Sequence, residues 1–434
     1  MQPKQCIAII DSIKAYAKQN PTEAQVYEDW FQAVVNLRDA LPQDKRFDAY
    51  KYSGELRSVC AAMMGKMKTG EDVAKVYDII SRTYLFEAKD VFDSYCIYLE
   101  WNRAPEKKFY QPRRKVLRTV ANALQDLADD RLDLLAISMP PGCGKTALAI
   151  FYLTWLAGKT PDEPMLTGSH SNSFVRGVYD ECLRIFDKDG EYLWNDVFPD
   201  VAVSNTNAKD CRIDLGKRKR FETLEFTSIG TGNAGLYRAS TLLYCDDLVS
   251  GIEVALSKPR LDKLWETYTT DLRQRKIGNK CKELHIATRW SVHDVIGRLE
   301  QNYGDSDRNR FIVMPAMNEK DESNFDYDYG VGYSTETLRK QREVMDEMSW
   351  KALYMNQPVE REGLLFPADE LRYFNGVLPD GEPDRKLMVM DIAWGGGDFT
   401  ACPIAYVYGD AVFIPDLGVD FQPFNAIHHM TAGT

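Results

Sequence analysis

The segment Leu134-Leu135-Ala136-Ile137-Ser138-Met139-Pro140-Pro141-Gly142-Cys143-Gly144-Lys145-Thr146 is followed by the apolar run Ala147–Leu153. An apolar strand, a glycine-containing turn and an apolar helix in that order form a natural anion seat. Backbone N–H groups of the turn and first helical turn converge on phosphate oxygens, and the helix dipole adds partial positive charge there. Gly142 and Gly144 allow close backbone approach, with Cys143 between them. Lys145 reaches the outer phosphates, and the Thr146 hydroxyl completes the shell of a Mg²⁺ ion. Met139 stands where the pattern G-x-x-x-x-G-K-[ST] has its first glycine, so the flanking strand and helix carry as much of the argument as the loop. The expected ligand is ATP with Mg²⁺.

With 434 residues the chain is too long for a single core. Apolar positions at helical spacing, such as Val26, Trp30, Phe31, Val34 and Leu37, predict an all-helical region over 1–104. Short apolar runs separated by helical stretches then predict a parallel α/β domain over 105–362, with strands at 134–139, 164–169, 223–229, 241–246, 283–288 and 311–314. Its last part, 315–362, reads as a small helical lid or linker. The third region, 363–434, reads as a three-strand meander at 386–392, 400–407 and 410–415.

No apolar run approaches the roughly 20 residues of a membrane span, so no membrane role is expected, and the expected location is the cytoplasm. The nine cysteines fall at scattered spacings with no C-x-x-C pair, so neither a zinc site nor a disulfide framework is indicated and reduced, mostly buried thiols are expected. A net charge of −11 confines any nucleic-acid contact to a local basic surface. The candidates are Lys217-Arg218-Lys219-Arg220 and Arg273-Gln274-Arg275-Lys276, though the first reads more readily as a solvated hairpin tip and the second as a solvated helix face.

Further chemistry is expected at strand ends, where open α/β sheets hold ligands. The run Leu242–Cys245 delivers Asp246 and Asp247; Asp246 would hold Mg²⁺ and Asp247 would polarise the attacking water. The plainer alternative is an Asp-Asp helix cap. Thr288, after Leu284–Ala287, is placed to sense the γ-phosphate. Arg289 either joins it in coupling or packs the domain edge with Trp290. Upstream, Phe109-Tyr110-Gln111-Pro112-Arg113-Arg114 offers an amide in Gln111 for an adenine edge and an aromatic plane, such as Tyr110, or an Arg plane to stack on it, or simply a helix surface.

Taken together, Pro140–Thr146, Gly168-Ser169-His170-Ser171, Gly230-Thr231-Gly232 with Gly235–Arg238, Cys245-Asp246-Asp247, Ala287–Trp290 with His293-Asp294, Met355-Asn356-Gln357-Pro358, and Met390–Ala393 with Asp398 resemble, in order and spacing, the large terminase subunit of tailed bacteriophages. The resemblance covers about 105–434. It implies a P-loop (RecA/ASCE-like) ATPase joined to a ribonuclease-H-like nuclease that uses Mg²⁺ or Mn²⁺. It also implies work on double-stranded DNA in a pentameric ring, with the portal protein and the small terminase subunit as partners, in the host cytoplasm and transiently on the procapsid. In such a ring an arginine completes a neighbour's ATP site in trans; Arg238, eight residues before Asp246, matches it, although a pairing with a local acid is an equal alternative.

Asp391 and Asp398 are the expected nuclease metal ligands. Asp416 and Asp420 are candidate further ligands but read more readily as a solvated loop, and the nuclease is expected to be truncated and weak or inactive. Two other readings remain. A helicase-like or remodelling ATPase would need a second RecA-like domain, for which about 70 residues are too few. A non-catalytic structural or interaction protein would not be expected to keep Lys145, Thr146, Asp246 and Asp247 together.

Overall fold

The computed structural model describes residues 2–230, 237–358, 374, 376–390 and 400–420. The chain divides into two compact units, 1–360 and 361–434.

Unit 1 is built on a mixed sheet of β1 (Leu134–Ser138), β2 (Met165–Ser169), β3 (Val203–Asn207), β4 (Arg212–Leu215), β5 (Leu224–Ser228), β6 (Leu242–Asp246), β7 (Lys282–Ala287) and β8 (Asn309–Val313). Their order is β3-β4-β5-β2-β6-β7-β1-β8. The pairs β5–β2, β2–β6, β6–β7, β7–β1 and β1–β8 are parallel, whereas β3–β4 and β4–β5 are antiparallel. Strands β1, β2, β5 and β6 are buried throughout, as the continuous apolar runs of a doubly covered parallel sheet require. The six strands expected from sequence appear with ends shifted by one or two residues. The antiparallel pair β3–β4 was not expected, because Val203-Ser204-Asn205-Thr206-Asn207 has no apolar face; as an edge strand it needs none.

The helix Lys145–Lys159 is buried on almost every side from Leu148 to Gly158. Such a helix must be covered on both faces. The sheet covers one, and the helices Pro3–Gln19, Ala24–Ala40, Phe47–Met64, Gly70–Ala88 and Phe92–Leu99 belong to the hydrophobic cluster that covers the other. The contacts are specific: Trp155 Nε1 donates to the Ala88 carbonyl (2.8 Å), Trp194 Nε1 to the Thr154 carbonyl (3.0 Å), and the Tyr95 and Thr154 hydroxyls meet at 2.8 Å. Full burial of each such side chain contributes about 1.5–3 kcal/mol. Among the described residues no helix is long and apolar enough to cross a membrane.

In unit 2, β9 (Arg385–Met388), β10 (Thr400–Tyr408) and β11 (Ala411–Asp420) form an antiparallel sheet in the order β11-β10-β9, the meander expected from sequence.

Of the two basic segments, the second is committed to structure and the first only through Lys219. Glu283, fully buried in β7, accepts from Arg273 Nε (2.9 Å), Lys276 Nζ (2.8 Å) and the Tyr268 hydroxyl (3.0 Å), while Arg275 pairs with Asp271. Lys219 Nζ reaches Asp214 (2.8 Å) and the Pro161 and Leu215 carbonyls, which leaves Lys217, Arg218 and Arg220 exposed. Burial opposes the Glu283 charge, but His285, Lys276 and Arg273 hold its carboxyl well below the usual range. Its stabilisation is therefore complete above the unfolded carboxyl value of about 4.3 and is lost as pH falls below it. Glu283→Leu, which strands two cations, should cost about 3–5 kcal/mol in urea denaturation at neutral pH. The cost should shrink in acid.

Candidate functional site

Strands β1, β7 and β6 end level with one another: Ser138 faces Ala287, and Asp246 faces Ile286. Everything at this edge follows from that register.

The loop after β1 turns through Gly142 (φ 73°) and Gly144 (φ 94°), a region that favours glycine. A Cβ on Gly144 would lie 2.6 Å from the Phe109 ring, and one on Gly142 would lie 2.8 Å from the Tyr333 hydroxyl, which donates to the Pro141 carbonyl at 2.9 Å. Met139 replaces a glycine at no steric cost because its side chain is buried in the core while its N–H meets the Ala287 carbonyl (3.3 Å). Cys143 is also buried, and burial pushes its thiol up to about 12. Its backbone, rather than its sulfur, faces the loop's task.

Lys145 is 7% exposed, and its Nζ donates to Thr288 Oγ1 at 2.7 Å and lies 3.4 Å from Asp247 Oδ2. Asp247 has φ 40°, unusual for a non-glycine residue. Its conformation is fixed from several sides. Its N–H donates to the Ile286 carbonyl (2.9 Å), its Oδ1 accepts from the Thr288 N–H (2.8 Å), and its carbonyl accepts from His170 Nδ1 (2.7 Å). Because a carbonyl only accepts, His170 carries its proton on Nδ1.

Asp246 is fully buried. The Tyr244 hydroxyl donates to its Oδ2, whereas Oδ1 has no hydrogen-bond partner among the described residues. Burial and then the Asp247 charge raise its carboxyl, against Tyr244, Lys145 and the neighbouring Thr146 hydroxyl. An orphaned buried carboxylate oxygen beside a hydroxyl suits a hydrated Mg²⁺. No cluster of three or more metal-ligating side chains exists among the described residues. The remaining ligands of such an ion would be water and phosphate, the usual way Mg²⁺ is held.

Thr288 and Arg289 share one turn. Thr288 Oγ1 also approaches the Met139 carbonyl (3.4 Å), and Arg289 is buried with Nε donating to Asp294 Oδ2 (2.9 Å). Asp294 in turn caps the helix Val295–Tyr303 through the Gly297 N–H (2.8 Å).

Two expectations are changed. Tyr110 offers no surface to a base: it is fully buried and its hydroxyl donates to Asp93 Oδ1 (2.6 Å), while Gln111 beside it is exposed. The aromatic ring against the loop is Phe109, with the Arg113 guanidinium 5.0 Å from its centroid and 5.5 Å from that of Tyr327. Arg238 is not brought to Lys145 within this chain. It is exposed at the opposite, amino-terminal edge of the sheet, where neighbouring Ala239 bridges Lys276, and its guanidinium packs over Phe221 at 4.7 Å. Its backbone N–H donates to Glu225 Oε2 at 3.2 Å, and among the described residues its guanidinium forms no salt bridge.

Asp391 and Asp398 lie outside the described residues. Asp416 and Asp420 lie on β11, with their side chains also outside.

Sequence reasoning gave no role to three residues that build the site. Glu100, buried, accepts the Phe109 and Tyr110 N–H groups (2.8–2.9 Å) and so sets the Phe109 ring on Gly144. His170 and Asn356 were noted only as parts of motifs; their hydrogen bonds span 77 and 67 residues.

No protein-family model matches the chain, and no curated protein does. Among solved structures it is similar to the large terminase of bacteriophage HK97, at 14% identity and TM-score 0.37 over 67% of this chain and 61% of that one. It is also similar to the large terminase of a thermophilic bacteriophage, with ADP (14%, 0.38, 72% and 69%) and in a further crystal form (13%, 0.37, 72% and 68%). The chain thus spans about three fifths of the HK97 protein.

Gly144→Ala combines positive φ with a clash against Phe109, a strain of about 1–3 kcal/mol. It should lower the melting temperature in a thermal-denaturation scan, while Gly177→Ala, on an exposed helix face with open space, should not.

Proposed function

We propose that this chain is an ATPase that moves double-stranded DNA, a packaging motor subunit of the large-terminase kind. The single observation that carries the ATPase reading is the meeting of Lys145, Thr288 and Asp247 at level strand tips beside the orphaned oxygen of Asp246.

In this reading the N–H groups of the Gly142–Lys145 turn bind the triphosphate. Lys145 exchanges the Thr288 hydroxyl and the Asp247 carboxylate for phosphate oxygens, which frees Asp247 to orient and deprotonate the attacking water. Thr146 and Asp246 would hold Mg²⁺, whose charge offsets that of the phosphates. Thr288, released from Lys145, registers the γ-phosphate, and buried Arg289 ties that turn to the helix Val295–Tyr303. The departing phosphoryl group needs further positive charge. The exposed position of Arg238, away from its own site, suits delivery to a neighbour in a homo-oligomeric, pentameric ring.

The DNA grip, through phosphates, would be largely sequence-independent and salt-sensitive. The portal protein and small terminase subunit are proposed partners, the host cytoplasm and procapsid the proposed location. A metal-dependent nuclease using Asp391 and Asp398 with Mg²⁺ or Mn²⁺ is proposed for unit 2.

ATP turnover against protein concentration, with and without linear double-stranded DNA, tests this reading. Lys145→Ala should lose turnover and binding. Asp247→Asn should keep binding and lose about 10²–10⁴-fold in turnover. Arg238→Ala should be inactive alone and regain activity when mixed with Lys145→Ala. Absence of turnover in the unmutated chain at any concentration would sink the ATPase reading, and absence of rescue would remove Arg238 from the trans role.

A further inference from the structure

Asn356 is 2% exposed and sits at φ 52°, just after the helix Glu347–Leu353 and just before Gln357-Pro358. Left-handed backbone alone would make it a helix terminator, a role that glycine fills as well. Its side chain does more. Oδ1 accepts the Arg289 N–H at 3.2 Å and Nδ2 donates to the Met314 carbonyl at 3.4 Å, so one amide bridges the chain leaving β7 and the chain leaving β8. These strands flank β1, the strand that carries the phosphate loop. The amide's orientation is fixed, because an N–H only donates and a carbonyl only accepts.

The Arg289 N–H belongs to the same turn as Thr288. That residue's N–H holds Asp247 Oδ1 at 2.8 Å and its hydroxyl holds Lys145 at 2.7 Å. The Arg289 guanidinium is already engaged by Asp294. The segment bearing Asn356 is itself anchored: the Tyr354 carbonyl accepts the Ala316 N–H at 2.7 Å, and the Gln357 N–H donates to the Lys351 carbonyl at 2.8 Å.

We propose that Asn356 is a positioning residue for ATP hydrolysis, in that its amide fixes the Thr288–Arg289 turn, and through it the Asp247 carboxylate, from the segment by which the chain leaves the sheet. This rests on the ATPase reading. Asn356 touches neither substrate nor metal; it sets where the water-polarising carboxylate stands, so its loss slows the chemical step while leaving the phosphate loop intact. Displacement of a catalytic group by a fraction of an ångström is enough for a large rate effect.

The test compares Asn356→Gly, which keeps the backbone conformation and deletes the amide, with Asn356→Asp, which keeps an oxygen for the Arg289 N–H. For each, kcat for ATP is measured beside the Kd of a non-hydrolysable ATP analogue. Asn356→Gly should hold its Kd within about twofold of the unmutated chain and lose about tenfold in kcat, with Asn356→Asp recovering several-fold of that loss. A wild-type kcat in Asn356→Gly overturns the proposal. So does a parallel fall of affinity and kcat in both variants, which marks a purely structural residue. An unmutated chain that binds no analogue removes the ATPase reading itself, and this inference with it. Binding and turnover in that chain with an unaffected glycine variant removes the inference alone.

Discussion

The Lys145 ammonium, nearly withdrawn from water and held between a threonine hydroxyl and an aspartate carboxylate, is the contact on which the rest of the site depends. A buried ammonium is costly unless it is paired and hydrogen-bonded. Here the partners come from two strands, β6 and β7, while the lysine comes from the turn after β1. The contact exists only because the three strands end level. In the proposed function this contact is replaceable: an incoming triphosphate would offer more negative charge than one carboxylate, so the lysine would change partners without leaving its place.

The surroundings are arranged to keep that edge rigid. The Asp247 backbone is held left-handed by Ile286 and His170, and its carboxylate by Thr288. Glu100 fixes Phe109 against Gly144, and Tyr333 closes on Pro141. On the far side, the amino-terminal helices enclose the helix that begins at Lys145 and hold its Trp155 through the Ala88 carbonyl, so the helix has little freedom to shift. Rigid elements carry the site, and the exchangeable part is one side chain.

What was legible in the sequence was local. The turn from Pro140 to Thr146 could be read because glycines, lysine and threonine are adjacent, and Asp246–Asp247 because an apolar run delivers them. Residues whose meaning comes from distant partners could not be read. Tyr110 looked available for a base, but helical periodicity does not say that Asp93 will take its hydroxyl. Arg273 and Lys276 looked like a nucleic-acid patch until β7 placed Glu283 beneath them. The roles of His170 and Asn356 lie in hydrogen bonds across the fold, which no spacing rule encodes. The edge pair β3–β4 was missed for a different reason: its polar residues lack the alternation by which strands are recognised.

The most direct measurement is a crystal structure of the chain with Mg²⁺ and a non-hydrolysable ATP analogue. The account predicts a triphosphate against the Gly142–Lys145 turn, a metal ion between it and the Thr146–Asp246 pair, and Lys145 turned from Thr288 to the phosphates. A nucleotide seated elsewhere, with Lys145 still bound to Thr288 and Asp247, would contradict it.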